Sequence, residues 1–302
     1  MIEPEPRLED QIPAGLPVGE LVEAFPLNTQ DDRDRFLQPR LLVSVRNAVE
    51  GVAAMRGGCD ILDLKEPERG SLGAVEATVA SEVLEAIRLR VTDAVAPLSI
   101  LPVSIALGEV RDAMVIRGKP LDLPPLVTQI RQFFAGVSYL KLGSAGLRDV
   151  PNWQSHWHAV EQQYLDGFHS KALHQPQWVA VAYADASLAA APTMSEVFEA
   201  AVERGCRGFL VDTWGKSDKR LFDWTSLDEL RDLFTRAKAA GLLTAVAGRL
   251  RPVDFPLLTT LPVDIVGVRT AACTGGDRLG AIDPGKIVSL QEALQEAFAG
   301  MS

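Results

Sequence analysis

From residue 40 onward the chain alternates between two rhythms. Short runs dense in Leu, Val and Ile give way to longer stretches whose apolar positions recur every three or four residues. The first rhythm suits strands buried on both faces, and the second traces one apolar face of a helix. Strands are predicted at 40–45, 60–64, 98–106, 137–142, 178–182, 208–212, 243–247 and 264–268. Amphipathic stretches follow them, among them 76–89, 195–204, 226–240 and 284–297. Gly57-Gly58, Gly136, Gly205 and Gly241 stand where a helix must stop before a strand, and are predicted C-caps with positive φ. Eight such units in roughly 260 residues predict an α/β fold, a single-domain (β/α)8 TIM barrel. No GxGxxG follows the first strand, which speaks against an open doubly wound sheet.

Two regions depart from the rhythm. Residues 1–38 are rich in Pro, Glu and Asp and lack sustained periodicity. They are expected to form an N-terminal extension, extended or partly disordered, ahead of a catalytic barrel at 39–302. Residues 148–176 are long for one barrel unit and carry Trp153, His156, Trp157, His158, His169 and His174. A helix with an insertion on the outer surface accounts for them. The histidines lack acidic partners at metal-ligand spacing, so no metal is assigned there.

Composition narrows the class. A net charge of -10 argues against nucleic acid and against anionic membrane surfaces. Three scattered cysteines without a CxxC pair argue against a cysteine-rich zinc site and suit a reducing compartment. The opening MIEPEPRLED has neither a basic nor an apolar leader segment, and no apolar run approaches the ~18 residues of a membrane span. The expectation is a cytoplasmic homo-oligomer that binds small molecules.

The candidate chemistry gathers at the C-terminal ends of the predicted strands, where barrel active sites lie. The second strand ends Asp63-Leu64-Lys65. Alternation sends Asp63 and Lys65 to one side and Leu62 and Leu64 to the other, so the charged pair faces the barrel mouth. The fourth strand ends in Lys141, the sixth in Asp212 with Lys216 just beyond, and the eighth in Arg269. Clustered ammonium groups in a dry site oppose each other's protonation, which leaves a free amine able to attack a carbonyl. Small-residue loops complete the picture. Ser71 in GSLGA precedes a helix, and Gly248 and Arg249 follow the seventh strand. Gly275-Gly276-Asp277-Arg278 follow the eighth. With Arg269 these occupy the usual barrel position for a phosphate.

Several blocks then carry a resemblance. GCDILDLKEPERGSLGA, YLKLG, YADA, DTWGKSDKRLFD and DIVGVRTAACTGGDR run in order from about Leu41 to the C-terminus. In these the chain resembles the (5-formylfuran-3-yl)methyl phosphate synthases of methanofuran biosynthesis. The resemblance implies condensation of two glyceraldehyde-3-phosphate molecules with loss of phosphate and water. It implies Lys65 as the Schiff-base lysine and Lys141 as proton acceptor, with Asp63, Asp212 and Lys216 completing the site. It implies no metal or organic cofactor, because an iminium serves as electron sink, and small phosphorylated aldehydes as the molecules bound. Arg249 and Ala182 depart from the small residue and the glycine expected at those positions. The residues alone also admit a class I aldolase on another sugar phosphate, or a non-catalytic phosphometabolite-binding barrel. A third alternative makes Asp63, Glu109, Asp185 and Asp212 ligands for magnesium.

Overall fold

The computed structural model describes residues 38–92, 101–114, 137–166, 176–215 and 218–299. Eight parallel strands close into a barrel in chain order. They are β1 (Arg40–Val45), β2 (Ile61–Leu64), β3 (Val103–Glu109), β4 (Val137–Gly143), β5 (Gln177–Tyr183), β6 (Gly208–Asp212), β7 (Leu243–Val246) and β8 (Ile265–Val268). The closing seam pairs Arg40 with Ile265 and Val43 with Val268. The expected (β/α)8 barrel is therefore the observed fold. Among the described residues no helix is long and apolar enough to cross a membrane.

Helices cover the barrel because their sequences cap and bury one face. In α6 (Met194–Glu203), Thr193 and Glu196 exchange hydrogen bonds at the N-terminus, and Met194, Val197, Phe198 and Ala201 turn inward. In α7 (Leu227–Ala239), Ser226 caps the first turn, and Leu230, Leu233, Phe234 and Ala237 are buried. The last helix, α9 (Pro284–Phe298), starts at an Asp283 cap with Pro284 in its first position. The other helices, labelled in chain order, are α1 (Ala48–Arg56), α2 (Ala77–Thr92), α3 (Val110–Ala113), α4 (Trp153–Asp166), α5 (Ala186–Ala189) and α8 (Phe255–Leu258).

Three expectations are corrected in detail. After α1 the left-handed residue is Gly58, whereas Gly57 keeps φ -76 and is close-packed against Ile287 and the Pro284 carbonyl. Of the expected third strand, Leu101 and Pro102 lie ahead of the observed β3, which starts at Val103; Pro102 has no N–H for the ladder. The strand runs on to Glu109 through an irregularity at Gly108, where φ is 89. The helix α4 places Trp153 and Trp157 inward and His156 and His158 outward. Gly136, His169 and His174 lie outside the described residues, as do the start of the expected third strand and nearly all of the N-terminal extension.

Each strand has two buried sides. Leu62, Leu64, Leu140 and Leu142 belong to the large apolar layer shared with the helices. A smaller cluster that includes Ile61, Val181, Leu210, Ala245 and Ile265 fills the barrel interior, and the polar site lies among these inward-facing residues.

Candidate active site

The floor of the site is built by alternation on four neighbouring strands. Ser44 pairs in register with Asp63, and Asp63 with Ser104, while β4 brings Lys141 in beside Ala106. All four polar side chains are buried and line one cavity. Lys141 Nζ stands 2.5 Å from Asp63 Oδ1, with side chains 4% and 1% exposed. The two groups form a buried salt bridge. Ser44 Oγ donates to Asp63 Oδ2 at 3.0 Å. Burial works to raise the Asp63 pKa, but the charges of Lys141 and Lys65, together with hydrogen bonding from Lys141 and Ser104, hold the carboxyl below its usual range. Ser104 completes the pocket around this carboxylate.

Lys65 follows one residue beyond β2 and lines the same cavity. It keeps some access to solvent through the open mouth yet is surrounded by protein. Among the described residues it makes no ion pair. Burial lowers its pKa first, and the charges of Lys141 and Arg278 lower it further, against the pull of Asp212 and Asp63. A depressed lysine in a cavity holds a larger share of free amine, the nucleophilic form.

Asp212 enters from β6, on the opposite side of the barrel from β2. The loop after β2 crosses the mouth to meet it: Ser71 Oγ reaches Asp212 Oδ2 at 3.1 Å and the Thr213 carbonyl at 2.9 Å. Ser71 thus lines the cavity, but its hydroxyl proton is committed across the barrel. The GSLGA loop is also not a helix N-terminus, since α2 starts only at Ala77. Lys216 lies outside the described residues, although the adjacent Gly215 borders the cavity.

The expected phosphate groups divide. Gly248 and Arg249 line the cavity, both with positive φ, 103 and 56. A side chain at Gly248 would press on Thr213 and Leu221. Arg269 does not serve as expected. Its Nε donates to the Arg278 carbonyl at 2.6 Å, Nη1 to the Ser44 carbonyl and Glu50, and Nη2 to Glu50 and the Gly280 carbonyl. All five N–H groups of a guanidinium are thereby used, and none is left for a phosphate. Gly275 and Gly276 are corrected too: both are exposed, outside the cavity, and form a left-handed turn at φ 66 and 69.

Sequence reasoning passed over Ser44 and Ser104. Ser44 and Ser104 were legible as polar residues opposite apolar neighbours on strands. Arg278 lines the cavity, and its importance depends on partners distant in the chain. Behind the site, Tyr183 Oη donates to Glu109 at 2.6 Å, and Gly143 leaves the space that Glu109 fills. Burial pushes the Glu109 carboxyl up. Asp185 accepts from the amides of Trp214 and Gly215 at 2.8 and 2.7 Å, pinning the loop that leads to Lys216. Asp63, Glu109, Asp185 and Asp212 thus each serve a separate partner, and no group of three potential metal ligands converges among the described residues.

Comparison with known proteins follows this geometry. The sequence family described as 4-HFC-P synthase matches residues 41–291. A (5-formylfuran-3-yl)methyl phosphate synthase of Methanopyrus kandleri is 36% identical over 260 residues, 85% of this chain and 100% of that protein. The synthase of Methanocaldococcus jannaschii is 32% identical over 253 residues, 83% of this chain and 98% of that protein. Among solved structures, octameric ribulose-1,5-bisphosphate carboxylase/oxygenase from Pyrococcus horikoshii superposes with a TM-score of 0.52 at 14% identity. That match covers 87% of this chain and 59% of the other, a likeness of fold alone.

Proposed function

The chain belongs to the (5-formylfuran-3-yl)methyl phosphate synthase family, and from that premise we propose that it forms its furan product through an imine on Lys65. It is a lyase of methanofuran biosynthesis acting on small phosphorylated substrates. The reaction condenses two glyceraldehyde-3-phosphate molecules, with loss of phosphate and water. The observation that carries the assignment is the contrast between two lysines in one cavity. Lys141 is paired with a buried carboxylate, whereas Lys65 has no ion pair among the described residues and has a depressed pKa.

In this reading the Lys65 amine adds to a substrate carbonyl, and water leaves to give an iminium. The iminium acidifies the neighbouring carbon. Lys141, once it has passed its own proton to Asp63, accepts that carbon's proton as the free amine. The resulting enamine attacks the carbonyl of the second aldehyde; elimination of phosphate and ring closure follow, and hydrolysis frees Lys65. Asp212, steadied by Ser71 and the Thr213 amide, faces Lys65 from across the mouth and is placed to move protons on the second substrate. Lys216 completes the set of reacting groups, as the family motif DTWGK implies. Residues 39–302 act as the catalytic unit, residues 1–38 as its extension, and the enzyme works in the cytoplasm as a homo-oligomer.

Borohydride added with glyceraldehyde-3-phosphate should fix substrate mass on the peptide containing Lys65, and untreated enzyme should release the furan phosphate. A label confined to Lys141 or Lys216 would reassign the nucleophile. A product other than the furan phosphate would sink the reaction.

A further inference from the structure

The cavity that Lys65 lines also contains an arginine, Arg278, whose role is unassigned, and its hydrogen bonds set it apart from Arg269. Arg278 lies ten residues past β8 (Ile265–Val268) and is fixed at both ends. Its backbone carbonyl accepts from Arg269 Nε at 2.6 Å. Its Nη2 donates to the Pro67 and Gly70 carbonyls of the loop after β2, at 3.0 and 3.2 Å. Those two carbonyls account for Nη2 and leave Nε and Nη1 without a protein acceptor among the described residues. A guanidinium has five donors in a fixed plane, so three remain for a ligand.

Resting on the functional reading above, we propose that Arg278 receives the phosphate monoester of the substrate that forms the imine on Lys65. Three observations converge on it. Arg278 and Lys65 share one cavity. The loop that Arg278 grips, Pro67 to Gly70, is the one that leaves Lys65, so the cation and the nucleophile are held in a common frame. The cavity wall also carries Arg249, paired with exposed Asp218 at 3.4 Å, which adds positive charge on the β7 side. Asp212, Glu66, Arg249 and Arg269 act on the Arg278 charge, as does Lys65. Burial draws the Arg278 pKa down without removing its charge, since arginine stays protonated in proteins. Arg269 then has a different task. It holds the Arg278 and Gly280 carbonyls, and so presents Arg278 rather than touching substrate.

A fixed guanidinium with free donors costs little ordering when an oxyanion arrives, and charge-assisted bonds to phosphate are among the stronger ones. A phosphorylated aldehyde should therefore reach Lys65 at far lower concentration than the same aldehyde without phosphate.

The test compares borohydride trapping of glyceraldehyde-3-phosphate and of glyceraldehyde on full-length wild type, Arg278→Lys and Arg278→Gln. Inorganic phosphate serves as competitor. In Arg278→Gln the half-saturating glyceraldehyde-3-phosphate should rise about 10- to 100-fold, while that for glyceraldehyde changes by less than about threefold. Arg278→Lys should fall between, because it keeps the charge but loses the planar fork. Phosphate should compete against glyceraldehyde-3-phosphate in wild type and lose most of that effect in Arg278→Gln. Equal losses for both aldehydes would show that Arg278 only shapes the site, and an unchanged preference for the phosphorylated aldehyde would remove it from phosphate binding. Either result overturns the proposal while leaving the Lys65 imine intact. Absence of any Lys65 adduct in wild type would instead overturn the functional reading itself.

Discussion

The two sides of each barrel strand are about equally hidden from water and carry opposite chemistry. Leu62 and Asp63 are neighbours in sequence, 0% and 1% exposed. Leu62 faces the helix layer, where apolar residues from strands and helices interlock. Asp63 faces the cavity, where it meets Lys141, Ser44 and the influence of Lys65. Outside, any well-fitting apolar side chain lowers the free energy by leaving water. Inside, each charge loses hydration and is tolerated only with a partner or in a site opened to substrate. Burial is thus a source of stability on one side and a source of reactivity on the other.

The largest effect expected from this contrast is at Lys65. Lys65→Arg keeps a cation but cannot form an imine, so turnover should fall by about 10⁴-fold or more with circular dichroism unchanged. Near-normal turnover would break the claim that the inner side does covalent chemistry. Next comes Asp63→Asn, which leaves the Lys141 ammonium buried without its counter-ion and should cost about 3–5 kcal/mol in urea unfolding. A second change, Lys141→Met, should recover most of that stability but not activity, since both groups act on the proton. If the double variant is no more stable than Asp63→Asn, the pair is not the cause.

Leu62→Ala supplies the matching test on the outer face. It should cost about 2–5 kcal/mol of stability, while kcat per folded molecule stays within about threefold of wild type. A selective loss of kcat in well-folded protein would show that the outer layer tunes the chemistry, contrary to the division drawn above. The smallest effect is in pH. The Lys65 pKa lies below its ordinary 10.5, and only the unprotonated amine reacts. The rate of borohydride trapping should therefore climb as pH rises through the depressed pKa and level off before 10.5 is reached. Lys141→Met removes a cation that lowers this pKa and leaves Asp63 unpaired beside it, so the inflection should move to higher pH. A trapping rate indifferent to pH, or an inflection moved downward, would contradict that electrostatic account.

Much of this was legible from residue order, for local reasons. Strand alternation alone separates Asp63 and Lys65 from Leu62 and Leu64, and a lysine ending a β4 run rich in apolar residues announces an inward charge. The Thr193 and Ser226 caps and the left-handed Gly58, Gly205 and Gly241 act within a few residues of themselves. The eight-fold rhythm implies closure because only a barrel buries both faces of that many parallel strands without leaving an edge. The third strand was misplaced where Pro102 and Gly108 alter the backbone inside an otherwise apolar run, an effect the hydrophobic pattern does not register.

What only the tertiary structure decided is how each polar group spends its hydrogen bonds. Arg269 and Arg278 read alike in sequence, two arginines after the last strand among small residues. Folding brings Glu50 and the Ser44 carbonyl, 219 and 225 positions away, onto Arg269 and exhausts its donors. It brings the Pro67 and Gly70 carbonyls onto one nitrogen of Arg278 and, among the described residues, leaves the other two nitrogens without an acceptor. Residue type and spacing determine that a cation stands at the mouth of the barrel, because side-chain direction repeats along a strand. Which cation remains available to a substrate depends on acceptors contributed by distant segments, and those meet only when the barrel closes.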